Sequence, residues 1–124
     1  VWWFGLITVP AVGFFAWFER NRGYALLVIA YFLQWLPWIL SPRIAFEYHF
    51  FPNLAIIVLC NAIVLQKLWH WVPEGEGRLL PRIGVGVYLG IVAWAFVFFY
   101  PVLVGQHVSW DAWHARMWIG RWII

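Results

Sequence analysis

The chain has one cysteine, Cys60, one methionine, Met117, and charged residues make up only 10% of it. A lone cysteine excludes a disulfide within the chain and any cysteine-built metal site. Scarcity of charge excludes a disordered chain, which stays unfolded because it is polar and charge-rich. Its eight Lys and Arg residues are spread along 124 positions and form no basic stripe, so no nucleic-acid partner is expected. Low-complexity tracts and internal repeats are also missing. There is no HExxH pair and no serine–histidine–aspartate order. His70, His107 and His114 are scattered, so no metal is expected at them. Gly84, Gly86 and Gly90 lack the preceding strand of a nucleotide fingerprint.

Apolar residues are abundant instead. They make up 65% of the chain, with 12 Trp, 11 Phe and 5 Tyr, and the mean hydropathy is +0.80. Soluble domains are about half apolar and about a quarter charged. Aromatic rings at this density suit a protein whose surface meets lipid and its interfaces. Val1 stands first, and the apolar run starts at once without the basic n-region and cleavage site of a signal peptide. The chain is therefore expected to be the C-terminal piece of a longer protein.

A spanning helix needs about 20 mostly apolar residues. Four runs approach that length: Trp2 to Phe18, Tyr24 to Leu40, Phe50 to Gln66 and Ile83 to Val104. None alternates apolar and polar residues as a barrel strand does. The expected fold is all-α and polytopic, with about four transmembrane helices. A hydrophilic loop from Lys67 to Arg82, broken by Pro73, Gly75, Gly77 and Pro81, separates the last two. Pro10 and Pro37 fall inside spans and are expected to kink them. Gly86 and Gly90 form a small-xxx-small pattern that suits a second helix, either of the same parent chain or of a second copy.

If the runs alternate direction, Arg20, Arg22, Lys67, Arg78 and Arg82 fall on one side and Arg43, Arg116 and Arg121 on the other. The positive-inside rule assigns the first group to the cytoplasm. In the tail, Ser109 is placed to cap a helix with Asp111 in its first turn. Trp110, Trp113, Met117 and Trp118 share a face, which predicts an amphipathic helix lying in the interface.

The polar break Ser41 to Pro52 holds Arg43, Glu47, Tyr48 and His49 between Pro42 and Pro52. Ionisable groups beside hydrocarbon mark a candidate site. Glu47 lies four residues after Arg43, so the two can pair as a plain interfacial salt bridge. The other reading is an anion site. A guanidinium takes phosphate bidentately at any working pH, and Tyr48 and His49 add donors beside it. An anion at a membrane edge with a greasy tail is a lipid phosphate. Glu47 and Asp111 are the acids on that side, and neither sits in a context that selects it as a catalytic base.

The run Leu36 to Pro52 resembles the Ser-Pro-Arg-x-x-Phe-x-Tyr-His-(Tyr/Phe)-x-Pro stretch in the C-terminal four-helix region of protein O-mannosyltransferases. The close of the chain, Phe98 to Gly105 followed by the Trp-rich tail through Ile119, is similar to the way those proteins end. The resemblance spans essentially all of 1–124. It implies a membrane glycosyltransferase of the GT-C class that moves mannose from polyprenyl (dolichyl) phosphate mannose to Ser or Thr hydroxyls of an acceptor protein, without a further cofactor. It implies that Arg43, Tyr48 and His49 stand near the donor lipid phosphate, with Glu47 in a variable slot. It also implies a luminal or periplasmic C terminus, in agreement with the charge reading. The membrane would be the plasma membrane in a bacterium and the endoplasmic reticulum in a eukaryote. The family's acidic catalytic motif belongs to an early outer loop that this chain does not contain, so the N-terminal helices of the full-length protein are expected partners. Rival readings are a GT-C transferase using another lipid-linked sugar, and a non-catalytic scaffold or transporter subunit, for which Gln34 and Asn61 would be the mid-span polar groups.

Overall fold

A computed structural model describes residues 2–39, 50–72 and 76–116. Within them every regular element is helical: α1 (Trp2–Phe18), α2 (Arg22–Ile39), α3 (Phe51–Trp69), α4 (Leu79–Leu103) and the short α5 (Trp110–His114). The all-α, membrane-associated reading holds. Two helices, α3 and α4, are long and apolar enough to cross a bilayer, and α1 is a shorter apolar helix. Pro10, Pro37 and Pro101 lie inside helices that continue through them.

The boundaries differ from expectation between the last two runs. α3 continues through Lys67 to Trp69, and a 3₁₀ turn at Glu76–Arg78 leads directly into α4 at Leu79. Pro81 therefore sits in the first turn of a helix instead of breaking one. Its missing N–H costs nothing there, because first-turn N–H groups have no intrahelical acceptor.

The chain divides into two compact units, residues 1–82 and 83–124. In the first, α1 and α2 are joined by a tight turn. Arg20 takes a left-handed φ of 52° there, and the Asn21 side chain accepts from the N–H groups of Gly23 (2.9 Å) and Tyr24 (3.3 Å) to start α2. α1 and α3 run parallel, with α2 antiparallel to both. The register is fixed at three heights: Gly5 lies against Ile57, Thr8 Oγ1 donates to Asn61 Oδ1 at 2.5 Å, and Lys67 Nζ meets Glu19 Oε1 at 2.5 Å. Val9, Val12, Ile57 and Cys60 form the buried core, with Tyr24, Val28 and Tyr31 of α2 packed against it.

Lipid is as apolar as these side chains, so burial alone does not hold the helices together. Close packing across small residues and interhelical hydrogen bonds carry the association. Gly5 supplies the close approach, since a Cβ there would stand 2.8 Å from Ile57 Cγ2. Lys67 ties all three helices at one end: its ammonium pairs with Glu19 and lies 4.8 Å from the Phe15 ring centroid and 5.6 Å from that of Tyr24. Arg82 lies over Trp69 at 4.9 Å, at the same end.

The second unit contains most of α4 and the tail. α4 buries only Val85 among its described residues, and Cβ atoms added at Gly84, Gly86 or Gly90 would meet nothing within 4 Å. A helix apolar all round suits lipid or a further helix. After Leu103 the chain turns through Gly105, at φ 67°. Ser109 then caps α5, its Oγ accepting from Ala112 N–H at 3.3 Å, with Asp111 in the first turn as expected. Met117 and Trp118, the rest of the predicted amphipathic face, lie outside the described residues. Arg116 holds the tail to α4. Its Nε donates to the Phe98 carbonyl at 2.8 Å, Nη1 donates to the Ala112 carbonyl, and the guanidinium lies 4.8 Å from the Phe98 ring centroid. Removing a charged donor of this kind costs about 1.5–3 kcal/mol. Arg116→Ala is expected to speed limited proteolysis between Val104 and Ser109 by roughly tenfold, because local opening sets the cleavage rate. An unchanged rate would show that Arg116 does not hold the tail.

Candidate functional site

Away from Lys67, α2 stops at Ile39 and α3 starts at Phe51. The sequence-predicted site residues Arg43, Glu47, Tyr48 and His49 belong to the connection between them and lie outside the described residues. The flanks are described. Phe50 packs edge-on against Tyr31 of α2, with ring centroids 6.1 Å apart at 88°. The same Phe50 is the N-cap residue of α3 and provides no side-chain hydrogen bond, while Pro52 occupies the first turn. An uncapped helix start carries partial positive charge from its free N–H groups.

One position further on, Asn53 is fully buried, and among the described residues neither its Oδ1 nor its Nδ2 has a hydrogen-bond partner. An orphaned buried amide costs about 1–3 kcal/mol. Asn61, two turns along the same face of α3, is also buried but is met by Thr8. The face that α3 turns inward therefore reads Asn53, Ile57, Cys60, Asn61, with polar groups at its ends and apolar ones between. A carboxamide offers two donors and one acceptor and does not titrate. These groups can bind an oxygen-rich moiety, but they cannot move a proton.

The remaining candidates are dispersed. Asp111 is exposed in the first turn of α5. His70 lies at the end of α3, with Nδ1 2.9 Å from the Gln66 carbonyl, and the His114 ring lies 6.3 Å from that of Trp110. Among the described residues no group of three or more His, Cys, Asp or Glu side chains could hold a metal ion. Sequence reading did not single out Gly5, Thr8 or Asn53. A glycine, a threonine and an asparagine in apolar runs carry no periodic signal, and only the packing of α1 on α3 gives them a role.

Comparison with known proteins gives the family. Residues 1–122 match the family model for the C-terminal four-transmembrane region of protein O-mannosyltransferase. The chain is similar to the polyprenol-phosphate-mannose–protein mannosyltransferase of Mycobacterium tuberculosis, with 27% identity over 98% of this chain and 24% of that protein. The Mycolicibacterium smegmatis protein of the same name is 26% identical over 97% of this chain and 24% of its own length. That of Corynebacterium glutamicum is 26% identical over 98% and 24%. The chain thus spans about a quarter of the length of the curated relatives it matches. No solved structure matches it. With nearly every residue inside the family match and helices fit for a bilayer, the chain is an integral-membrane segment that belongs to the family of the C-terminal four-transmembrane region of protein O-mannosyltransferases.

Proposed function

We propose that residues 1–124 are the C-terminal membrane domain of a GT-C glycosyltransferase that moves mannose from polyprenyl (dolichyl) phosphate mannose to Ser or Thr hydroxyls of an acceptor protein. The family match over 1–122 carries this reading, and the names of the relatives agree with it. In this reading α1 to α4 all span the bilayer, α5 begins an interfacial helix, and the Arg20, Arg22, Lys67 end faces the cytoplasm. The Arg43 connection and the C terminus then share the outer or luminal side.

Arg43 grips the lipid phosphate, Tyr48 and His49 complete its polar shell, and Glu47 supports Arg43. The chemistry gives Arg43 more than a binding role. As the acceptor oxygen attacks the anomeric carbon, the bond to phosphate breaks and its electron pair stays with the leaving polyprenyl phosphate. The phosphate gains negative charge along the way, so a fixed guanidinium beside it stabilises the transition state more than the ground state. The hydroxyl proton goes to a base supplied upstream of Val1 by the N-terminal part of the full-length protein.

Membranes carrying the full-length protein are expected to transfer mannose from polyprenyl-phosphate mannose to a Ser/Thr acceptor peptide. Transfer only from another polyprenyl-phosphate sugar would replace the donor, and transfer from none would remove the enzyme reading. The orphaned amide provides a further check. Asn53→Leu replaces a buried unsatisfied amide by an apolar side chain with the same heavy-atom branching, so the thermal midpoint is expected to rise, by an amount equivalent to about 1–2 kcal/mol. If Asn53 is retained because it serves the donor site, mannosyl transfer falls in the same variant. Higher stability with unchanged transfer would leave Asn53 outside the site.

A further inference from the structure

Two cavities open at the Lys67 end of the first unit, the opposite end from the proposed donor site. One, of about 510 Å³, is lined by Phe15, Val64, Lys67, Leu68, His70 and Trp71. The other, of about 320 Å³, is lined by Tyr24, Gln66, Lys67 and His70. They share Lys67 and His70 and differ in the rest of their walls: Phe15, Val64, Leu68 and Trp71 make the first mainly apolar, and Tyr24 and Gln66 bring further polar groups to the second.

We infer that this pair of cavities is a binding site for an anionic bilayer phospholipid with a hydroxylated headgroup, such as phosphatidylglycerol. An acyl chain lies along Phe15, Val64, Leu68 and Trp71, and the headgroup enters the smaller cavity. Charge complementarity selects the occupant. Lys67 is partly exposed, and one of its three N–H donors meets Glu19, which leaves donors for a phosphate oxygen. Arg20, Arg22 and Arg82 belong to the same end and add positive field at headgroup depth. Basic pockets between helix ends are where anionic headgroups bind. His70 sets the headgroup class. Its Nδ1 faces a carbonyl, which can only accept, so Nδ1 carries the hydrogen and Nε2 is the acceptor. A headgroup hydroxyl supplies the donor that Nε2 lacks, and phosphatidylmethanol, an anionic phosphodiester, and phosphatidylcholine offer none. The site is independent of the mannosyl-transfer reading.

Native mass spectrometry of the full-length protein, delipidated and titrated with lipids of matched acyl chains, tests this. Phosphatidylglycerol is expected to be retained about fivefold over phosphatidylcholine, the effect of about one cation at the membrane surface. His70→Leu, which leaves the Lys67–Glu19 pair intact, is expected to erase the preference for phosphatidylglycerol over phosphatidylmethanol. Lys67→Gln is expected to erase the preference for either over phosphatidylcholine, and Val64→Trp to lower retention of all three. Thermal midpoints measured alongside show which variants fold, and His70→Leu decides if Lys67→Gln does not. Equal retention of the three lipids by the unaltered protein would overturn the proposal. So would failure of maleimide to label Leu68→Cys in the delipidated protein, because another helix would then fill the groove. Mannosyl transfer in the same samples reads the donor-site proposal separately.

Discussion

Arg43→Ala in the full-length protein is expected to lower mannosyl transfer by roughly ten- to a hundredfold, while Arg20→Ala stays close to the unaltered enzyme. The magnitude follows from the charge-assisted hydrogen bonds lost, worth about 1.5–3 kcal/mol, with about 1.4 kcal/mol per tenfold in rate. The loss should fall mainly on kcat, because the leaving phosphate needs the cation most as its bond breaks. Arg43→Lys keeps the charge but loses the bidentate fork, so it should recover only part of the rate. Arg20 makes a fair control. It is as basic as Arg43, and it is an exposed residue of the α1–α2 turn at the Lys67 end. Equal activities of the two alanine variants in a membrane transfer assay would remove Arg43 from the donor site. Labelling of Arg43→Cys from the cytoplasmic side, in a Cys60→Ser background, would do the same on topological grounds.

Gly5→Leu is expected to cause the largest loss of stability in the first unit. The hydrogen of Gly5 lets α1 lie directly on α3, and a β-carbon there would already stand 2.8 Å from Ile57 Cγ2 and 3.3 Å from its Cγ1. Ile57 is β-branched and buried, so it has no easy rotamer to escape into. Overpacking of this kind costs about 1–3 kcal/mol. The shift also moves Thr8 away from Asn61, three residues on in α1 and four in α3, and that contact adds about 0.6 kcal/mol. Together they predict a fall in thermal midpoint of about 10 °C in detergent. Gly13→Ala is the contrast, because its new methyl would meet Val28 at an ordinary 3.9 Å and the helix gains propensity. Ile57→Ala in the Gly5→Leu background should restore part of the loss. Equal midpoints for Gly5→Leu and Gly13→Ala would mean that α1 and α3 are not in close contact.

The Thr8–Asn61 bond shows how a residue visible in the sequence acquires its meaning from packing. Asn61 stands out in an apolar run, and a transporter-like reading would aim it at a cargo. Its partner on α1 makes it a register lock instead. Asn53 has the opposite history. It follows a proline and a motif that draw the eye, and only its complete burial without a partner among the described residues marks it.

Composition and run length determined the solvent and the fold class. Long apolar stretches with few charges suit helices in lipid, where each backbone group finds its partner within its own segment, and two of the helices are long and apolar enough to cross a bilayer. The run Leu36 to Pro52 and the close of the chain from Phe98 also carried the family resemblance, since such patterns depend on order and identity alone. Tertiary structure decided how the helices pair. Apolar side chains are interchangeable against lipid, so no sequence pattern ranks one helix face over another. Parallel packing of α1 on α3 follows from a missing side chain at Gly5, one hydrogen bond at Thr8 and one ion pair at Lys67. These contacts join residues about fifty positions apart, a separation that no local periodicity reports.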